Sequence, residues 1–115
     1  MRDDKQNVIV DKSVQFSLAA IRFTEVLEQD RKFVIARQLL RSGTSIGSNI
    51  FEAQNAESKA DFIHKMKIAA KEASETWYWL LLCEKSQSYP FEKKLKDDLS
   101  EIIRILSKII STSKR

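Results

Sequence analysis

The sequence predicts an all-α protein, an antiparallel up-and-down four-helix bundle occupying residues 1–115 as one domain. Three observations carry that expectation. The 115 residues contain only two glycines and one proline, too few turn residues for a sheet protein of this size. Apolar residues make up 43% of the chain, enough for a packed core. Those residues recur at spacings of three and four over four long segments.

The first helix is expected from about Asp11 to Glu28. Val14, Leu18 and Ile21 fall on one stripe, and Phe16, Ala20, Phe23 and Leu27 fall on another, nearly opposite. A helix with two apolar faces is buried on both, which in so small a domain points to a partner chain. Phe16 and Phe23 are therefore candidate oligomer contacts.

Asp30 is a candidate cap for a second helix from about Arg31 to Asn55. Ile35, Leu39, Ile46, Ile50 and Ala53 share one side. Gly43 and Gly47 lie inside this segment, each costing about 1 kcal/mol relative to Ala in a helix. The apolar period passes through them unbroken, so the expectation is a helix in which the glycines permit a close helix–helix approach. The stretch Ser42-Gly-Thr-Ser-Ile-Gly is no phosphate-binding loop, because it lacks the Lys and the preceding strand.

Ser58 and Asp61 form a capping-box-like pair for a third helix ending near Lys85. Phe62, Met66, Ala69, Ala73, Thr76 and Leu80 make its core stripe. Ile63, Ala70, Trp77 and Leu81 widen that stripe, while Ile68, Trp79 and Leu82 point elsewhere. The C-terminal half is thus apolar almost all round. Trp77, Trp79 and Leu82, beside Tyr78, are further candidate oligomer contacts, since aromatics are enriched at interfaces. Pro90 suits the first turn of a fourth helix, in which Leu95, Leu99, Ile102, Leu106 and Ile109 form a heptad seam. Short connections place successive helices antiparallel.

Charge and cysteine usage bound the function classes. The net charge is +4, with both signs interspersed and no long basic run. This is compatible with a polyanionic partner without requiring one. The single cysteine, Cys83, sits in an apolar run and reads as a buried thiol. No signal-peptide pattern opens the chain, and the longest apolar run, Trp77 to Cys83, is seven residues, far short of a membrane span. A cytoplasmic protein without membrane association is expected.

No catalytic, cofactor-binding or metal-ligating constellation is legible. His64 is the only histidine and has no nucleophile at a spacing that would pair with it. Glu72 and Glu75 are three apart, but a di-iron bundle needs Glu-x-x-His, and position 78 is Tyr. These carboxylates are read as ion-paired or solvated, with the alternative that they orient basic residues. Arg37 and Arg41 lie on the polar side of the second helix, and Lys67, Lys71 and Lys85 share a face of the third. Arg37, Arg41, Lys67 and Lys71 are the candidate phosphate contacts, set against the ordinary reading of solvated helix faces.

Two stretches carry a resemblance. Gln38-Leu-Leu-Arg-Ser-Gly-Thr-Ser-Ile-Gly-Ser-Asn-Ile-Phe-Glu-Ala53 is similar to the signature of the four-helix bundle proteins associated with 23S rRNA intervening sequences. So is Asp61-Phe-Ile-His-Lys-Met-Lys-Ile-Ala-Ala-Lys-Glu-Ala-Ser-Glu-Thr-Trp-Tyr-Trp-Leu80, with its Lys-Glu-Ala-x-Glu-Thr core, and the opening Asp11-Lys-Ser fits as well. The resemblance extends to the accessory variability determinant proteins of diversity-generating retroelements. It implies an up-and-down bundle, a pentameric ring, and association with nucleic acid or with a protein partner. Two functions are carried forward: a non-enzymatic oligomer that binds RNA or DNA through basic helix faces, and a scaffold that docks a protein without touching nucleic acid.

Overall fold

The computed structural model describes residues 4–114, with side chains from residue 8 onward. The described residues form four α-helices and no strand: α1 (Asp4–Gln29), α2 (Phe33–Ala53), α3 (Lys59–Lys85) and α4 (Lys93–Ser113). They pack as a four-membered cycle. Helix α1 lies beside α2 and α4, α3 lies beside α2 and α4, and the two diagonal pairs do not approach as closely. The resulting rod measures 45 × 20 × 20 Å.

Helix α1 begins seven residues before the expected Asp11, because Ile9 and Val10 are buried. Ile9, Ser13, Phe16, Ala20, Phe23 and Leu27 form one continuous seam. A serine at the second seam position hides this pattern in the sequence. Its hydroxyl is satisfied locally by donating to the Val10 carbonyl at 2.8 Å.

The seam corrects one expectation. Phe16 and Phe23 are 2% and 1% exposed and belong to the chain's own core, so they offer no surface to a second copy. The outward stripe of α1 is the other one, Val14, Leu18 and Ile21, at 44%, 50% and 39% exposure.

The end of α1 is a Schellman turn. Lys32 N–H donates to the Leu27 carbonyl at 2.8 Å and Arg31 N–H to that of Glu28 at 2.9 Å, with Arg31 at φ 63°. Asp30 is therefore part of the stop of α1 and not the cap of α2. The cap position of α2 is Lys32, which makes no side-chain capping bond.

Helix α2 runs unbroken through both glycines. A Cβ on Gly43 would lie 3.3 Å from the Ala20 Cβ, and one on Gly47 would lie 3.2 Å from the Ser17 Oγ. Both glycines thus let α1 approach α2 closely, as their spacing predicts. Ser58 caps α3 by accepting from the Asp61 N–H at 3.0 Å, while the Asp61 carboxylate accepts from the Glu57 N–H at 3.1 Å. That reach is one residue farther back than in a standard capping box.

Pro90 lies in the connection before α4, not in its first turn. The α4 seam Leu95, Leu99, Ile102, Leu106 and Ile109 is buried as predicted. Among the described residues, no helix is long and apolar enough to cross a membrane.

Candidate functional site

The two signature stretches lie within α2 and within α3, and their polar residues meet. Arg41 reaches across from α2 to α3, where its guanidinium pairs with Glu72 at 3.3 Å and makes a second, shorter bond to Glu75. Glu75 also accepts from the Trp79 indole N–H at 3.1 Å.

This arrangement fixes charge states. The bond to Glu75 raises the Arg41 pKa further, with burial opposing and the charge of Glu72 adding to it. The bond from Arg41, then the one from Trp79, holds the Glu75 carboxyl below its usual range, and the charge of Lys71 adds a smaller effect. The reading of Glu72 and Glu75 as partners of a basic residue matches this geometry. The same geometry sets Arg41 apart from the other candidate phosphate contacts, because its half-exposed guanidinium is already paired with two carboxylates.

Directly beneath, the Ser42 and Thr76 hydroxyls meet at 2.8 Å in the core, both residues 0% exposed. Thr76 Oγ1 also lies 2.8 Å from the Glu72 carbonyl. A carbonyl only accepts, so the single Thr76 proton goes there and Ser42 donates to Thr76. Arg41 and Ser42 on one helix and Glu72, Glu75, Thr76 and Trp79 on the other thus form one α2–α3 junction.

Such a junction is the geometric content of the two signatures, and a model of the 23S rRNA-intervening sequence proteins matches residues 5–108 of the chain. The chain belongs to this family. It is 44% identical to a protein of unknown function from the S23 ribosomal protein family of Bacteroides thetaiotaomicron, solved by crystallography. That match has a TM-score of 0.88 and covers 93% of this chain and 98% of the other. No curated protein matches the chain.

The basic residues of the chain are distributed unevenly over its helix faces. On α3, His64, Lys67, Lys71, Ser74, Tyr78 and Lys85 are all exposed and follow helical spacing along the side opposite the core. The α3 carboxylates are engaged elsewhere. Asp61 caps the helix, Glu72 and Glu75 hold Arg41, and Glu84 pairs with Lys96 at 2.5 Å. No described carboxylate forms an ion pair with Lys67, Lys71 or Lys85. Arg37 is likewise exposed on α2 without an ion pair among the described residues.

The candidate oligomer contacts on α3 have internal partners. Lys96 covers the Trp77 ring at 4.7 Å, Trp79 is tied to Glu75, and Leu82 is half-buried. A different apolar surface, unforeseen from the sequence, lies on α2. Phe33, Leu40 and Phe51 are 48%, 39% and 58% exposed. They flank the close-packed glycine side of α2, next to the outward stripe of α1. The signal is present in the seven-residue step from Phe33 to Leu40 and the eleven-residue step on to Phe51, but the stronger core period masks it.

A groove of about 360 Å³ between α1 and α4 is lined by residues including Lys12, Arg22, Asp98 and Glu101. It carries both signs and is bridged by a Lys12–Glu101 ion pair. Cys83 is 0% exposed, and burial pushes its thiol pKa up to about 11. Among the described residues, no three His, Cys, Asp or Glu side chains gather as a metal site.

Proposed function

We propose that the protein is a non-enzymatic, oligomeric nucleic-acid-associated protein that holds phosphates on the outer stripe of α3. Lys67 and Lys71 supply the contacts, Lys85 extends them, and Arg37 adds a neighbouring charge from α2. The observation that carries this reading is the separation of charge on α3. Its carboxylates are drawn to internal partners, which leaves the lysines of the outer stripe without an ion pair. Contacts of this type neutralise phosphates and read little sequence.

Oligomerisation amplifies that charge. The outward apolar stripes of α1 and α2 are adjacent, and a ring built on them would leave α3 facing away from the shared surface. A pentamer, the number implied by the resemblance to the retroelement accessory proteins, would join five copies of a +4 chain. An antiparallel up-and-down order is supported by cross-helix pairing. Glu52 meets Lys65 near the α2–α3 connection, and Arg41 meets Glu75 farther along. A cytoplasmic setting belongs to the same reading, supported by the lone Cys83, a buried thiol with no second cysteine in the chain to oxidise with.

The alternative is a scaffold that docks a protein, favoured by the exposed Val14, Leu18, Ile21, Leu40 and Phe51. Titration against a labelled structured RNA and a matched DNA duplex at two salt concentrations separates the readings. The nucleic-acid reading expects affinity to fall steeply with salt. Lys67→Gln with Lys71→Gln should then reduce the log–log slope by roughly 1 for each phosphate that is no longer neutralised. Salt-independent binding, or none at low salt, would leave the scaffold.

A further inference from the structure

We infer that Tyr78 is a base-stacking platform, so that the ligand of the α3 stripe is a single-stranded or unpaired stretch of polynucleotide. The inference rests on the nucleic-acid reading above and narrows it to a ligand class.

All four tryptophan and tyrosine side chains of the chain lie on or beside this end of the bundle, and three of them are occupied. Lys96 lies 4.7 Å from the Trp77 ring centre, Lys32 lies 5.0 Å from that of Tyr89, and the half-buried Trp79 is tied by its N–H to Glu75. Tyr78 is 52% exposed. Its ring meets Trp79 at 5.2 Å between centroids and an interplanar angle of 62°, an edge contact that steadies it. Trp79 is anchored in turn through Glu75 to Arg41 on the neighbouring helix. An aromatic ring braced in this way loses little further freedom when a base stacks on it.

Position along the stripe gives the ring its partners. Tyr78 lies seven residues after Lys71 and seven before Lys85, so it sits between two cations at about 10 Å of helix rise each. That rise equals about three stacked nucleotides at roughly 3.4 Å each. A strand running along α3 can therefore place a phosphate at Lys71, a base over Tyr78 and a further phosphate near Lys85. Lysines with an interposed aromatic ring make the combination that binds single strands. In a duplex the base faces are already stacked, and the ring has nothing to receive.

The test is fluorescence anisotropy of the full chain with an unstructured labelled RNA, the same sequence as DNA, and the RNA duplex, at low salt. The proposal expects both single strands to bind more tightly than the duplex. Tyr78→Ala should weaken single-strand binding by about tenfold or more and leave duplex binding within about twofold, while Tyr78→Phe retains single-strand affinity. Circular dichroism shows that the variants remain helical. Unchanged single-strand binding by Tyr78→Ala, or duplex preference in the parent, overturns the stacking role. If Lys67→Gln with Lys71→Gln leaves single-strand affinity untouched, the basic-stripe reading beneath it fails separately.

Discussion

The hydroxyls of Ser42 and Thr76 meet at 2.8 Å between α2 and α3, and neither residue has any exposed surface. Each side chain belongs to a helix whose remaining core positions are almost all aliphatic or small. A buried hydroxyl needs a partner, and these two supply each other, with the Glu72 carbonyl completing the chain. The pair thereby fixes which turn of α2 faces which turn of α3, and places Arg41 within reach of Glu72 and Glu75.

Removing one hydroxyl should cost more than removing both. Thr76→Val strips Ser42 of its acceptor and is expected to destabilise by about 1–3 kcal/mol. The double variant Ser42→Ala with Thr76→Val should recover part of that loss. Urea denaturation of the four-member mutant cycle gives the coupling, and strictly additive losses would refute the pairing.

The two glycines should respond differently to alanine. At Gly47 the crowding atom is the Ser17 hydroxyl, which can rotate away, so Gly47→Ala is expected to gain up to about 1 kcal/mol of helix propensity. At Gly43 the obstacle is the Ala20 Cβ, which moves only with the α1 backbone. Gly43→Ala is expected to destabilise by about 1 kcal/mol. Denaturation midpoints decide the order.

Arg31 occupies a left-handed position that glycine fills without steric cost. Its side chain is exposed, so little packing is given up on truncation, and Arg31→Gly should raise stability by about 1 kcal/mol. A fall in melting temperature would show that the side chain contributes more than the backbone strain removes.

Acid sensitivity should follow Glu75. Its folded-state pKa is depressed, so its contribution to stability is present above the unfolded-state value and disappears as pH falls through the folded one. Arg41 stays charged throughout. Glu75→Gln should therefore flatten the fall in stability below about pH 4.5 and have its largest effect near neutrality. Both side chains are partly exposed, so the change is expected to be at most about 1 kcal/mol. Thermal melts of parent and variant, run from acid to neutral pH, test the sign.

The outward apolar stripe and the core stripe of α1 should separate cleanly. Leu18→Glu is expected to lower the particle mass in light scattering with helicity intact, whereas Phe16→Glu should unfold the chain, because it buries an unpaired charge. An unchanged mass for Leu18→Glu, in a parent that is itself oligomeric, would move the interface elsewhere.

Much of the bundle is legible in the sequence because helical periodicity and burial obey the same geometry. The seam from Leu95 to Ile109 needs nothing beyond spacing, and the apolar run through Gly43 and Gly47 outweighs their poor helix propensity. The start of α1 is misplaced by periodicity because Ser13 interrupts its seam, and only the structure shows its hydroxyl satisfied by the Val10 carbonyl. Asp30 resembles a cap by residue type, yet the backbone there turns left-handed at Arg31 and ends a helix instead.

The sequence by itself determined the fold class, the two faces of α1 and the residues of the candidate basic stripe. Tertiary structure decided which face of α1 is inside, since two apolar stripes on one helix are equivalent until neighbouring helices cover one of them. It also decided which charges are available. Arg41 and Lys71 are both cations on polar helix faces, and nothing in their spacing distinguishes them. Only the docking of α2 on α3 gives Arg41 two carboxylates and leaves Lys71 facing outward, because ion pairing between helices depends on distances that no single helix contains.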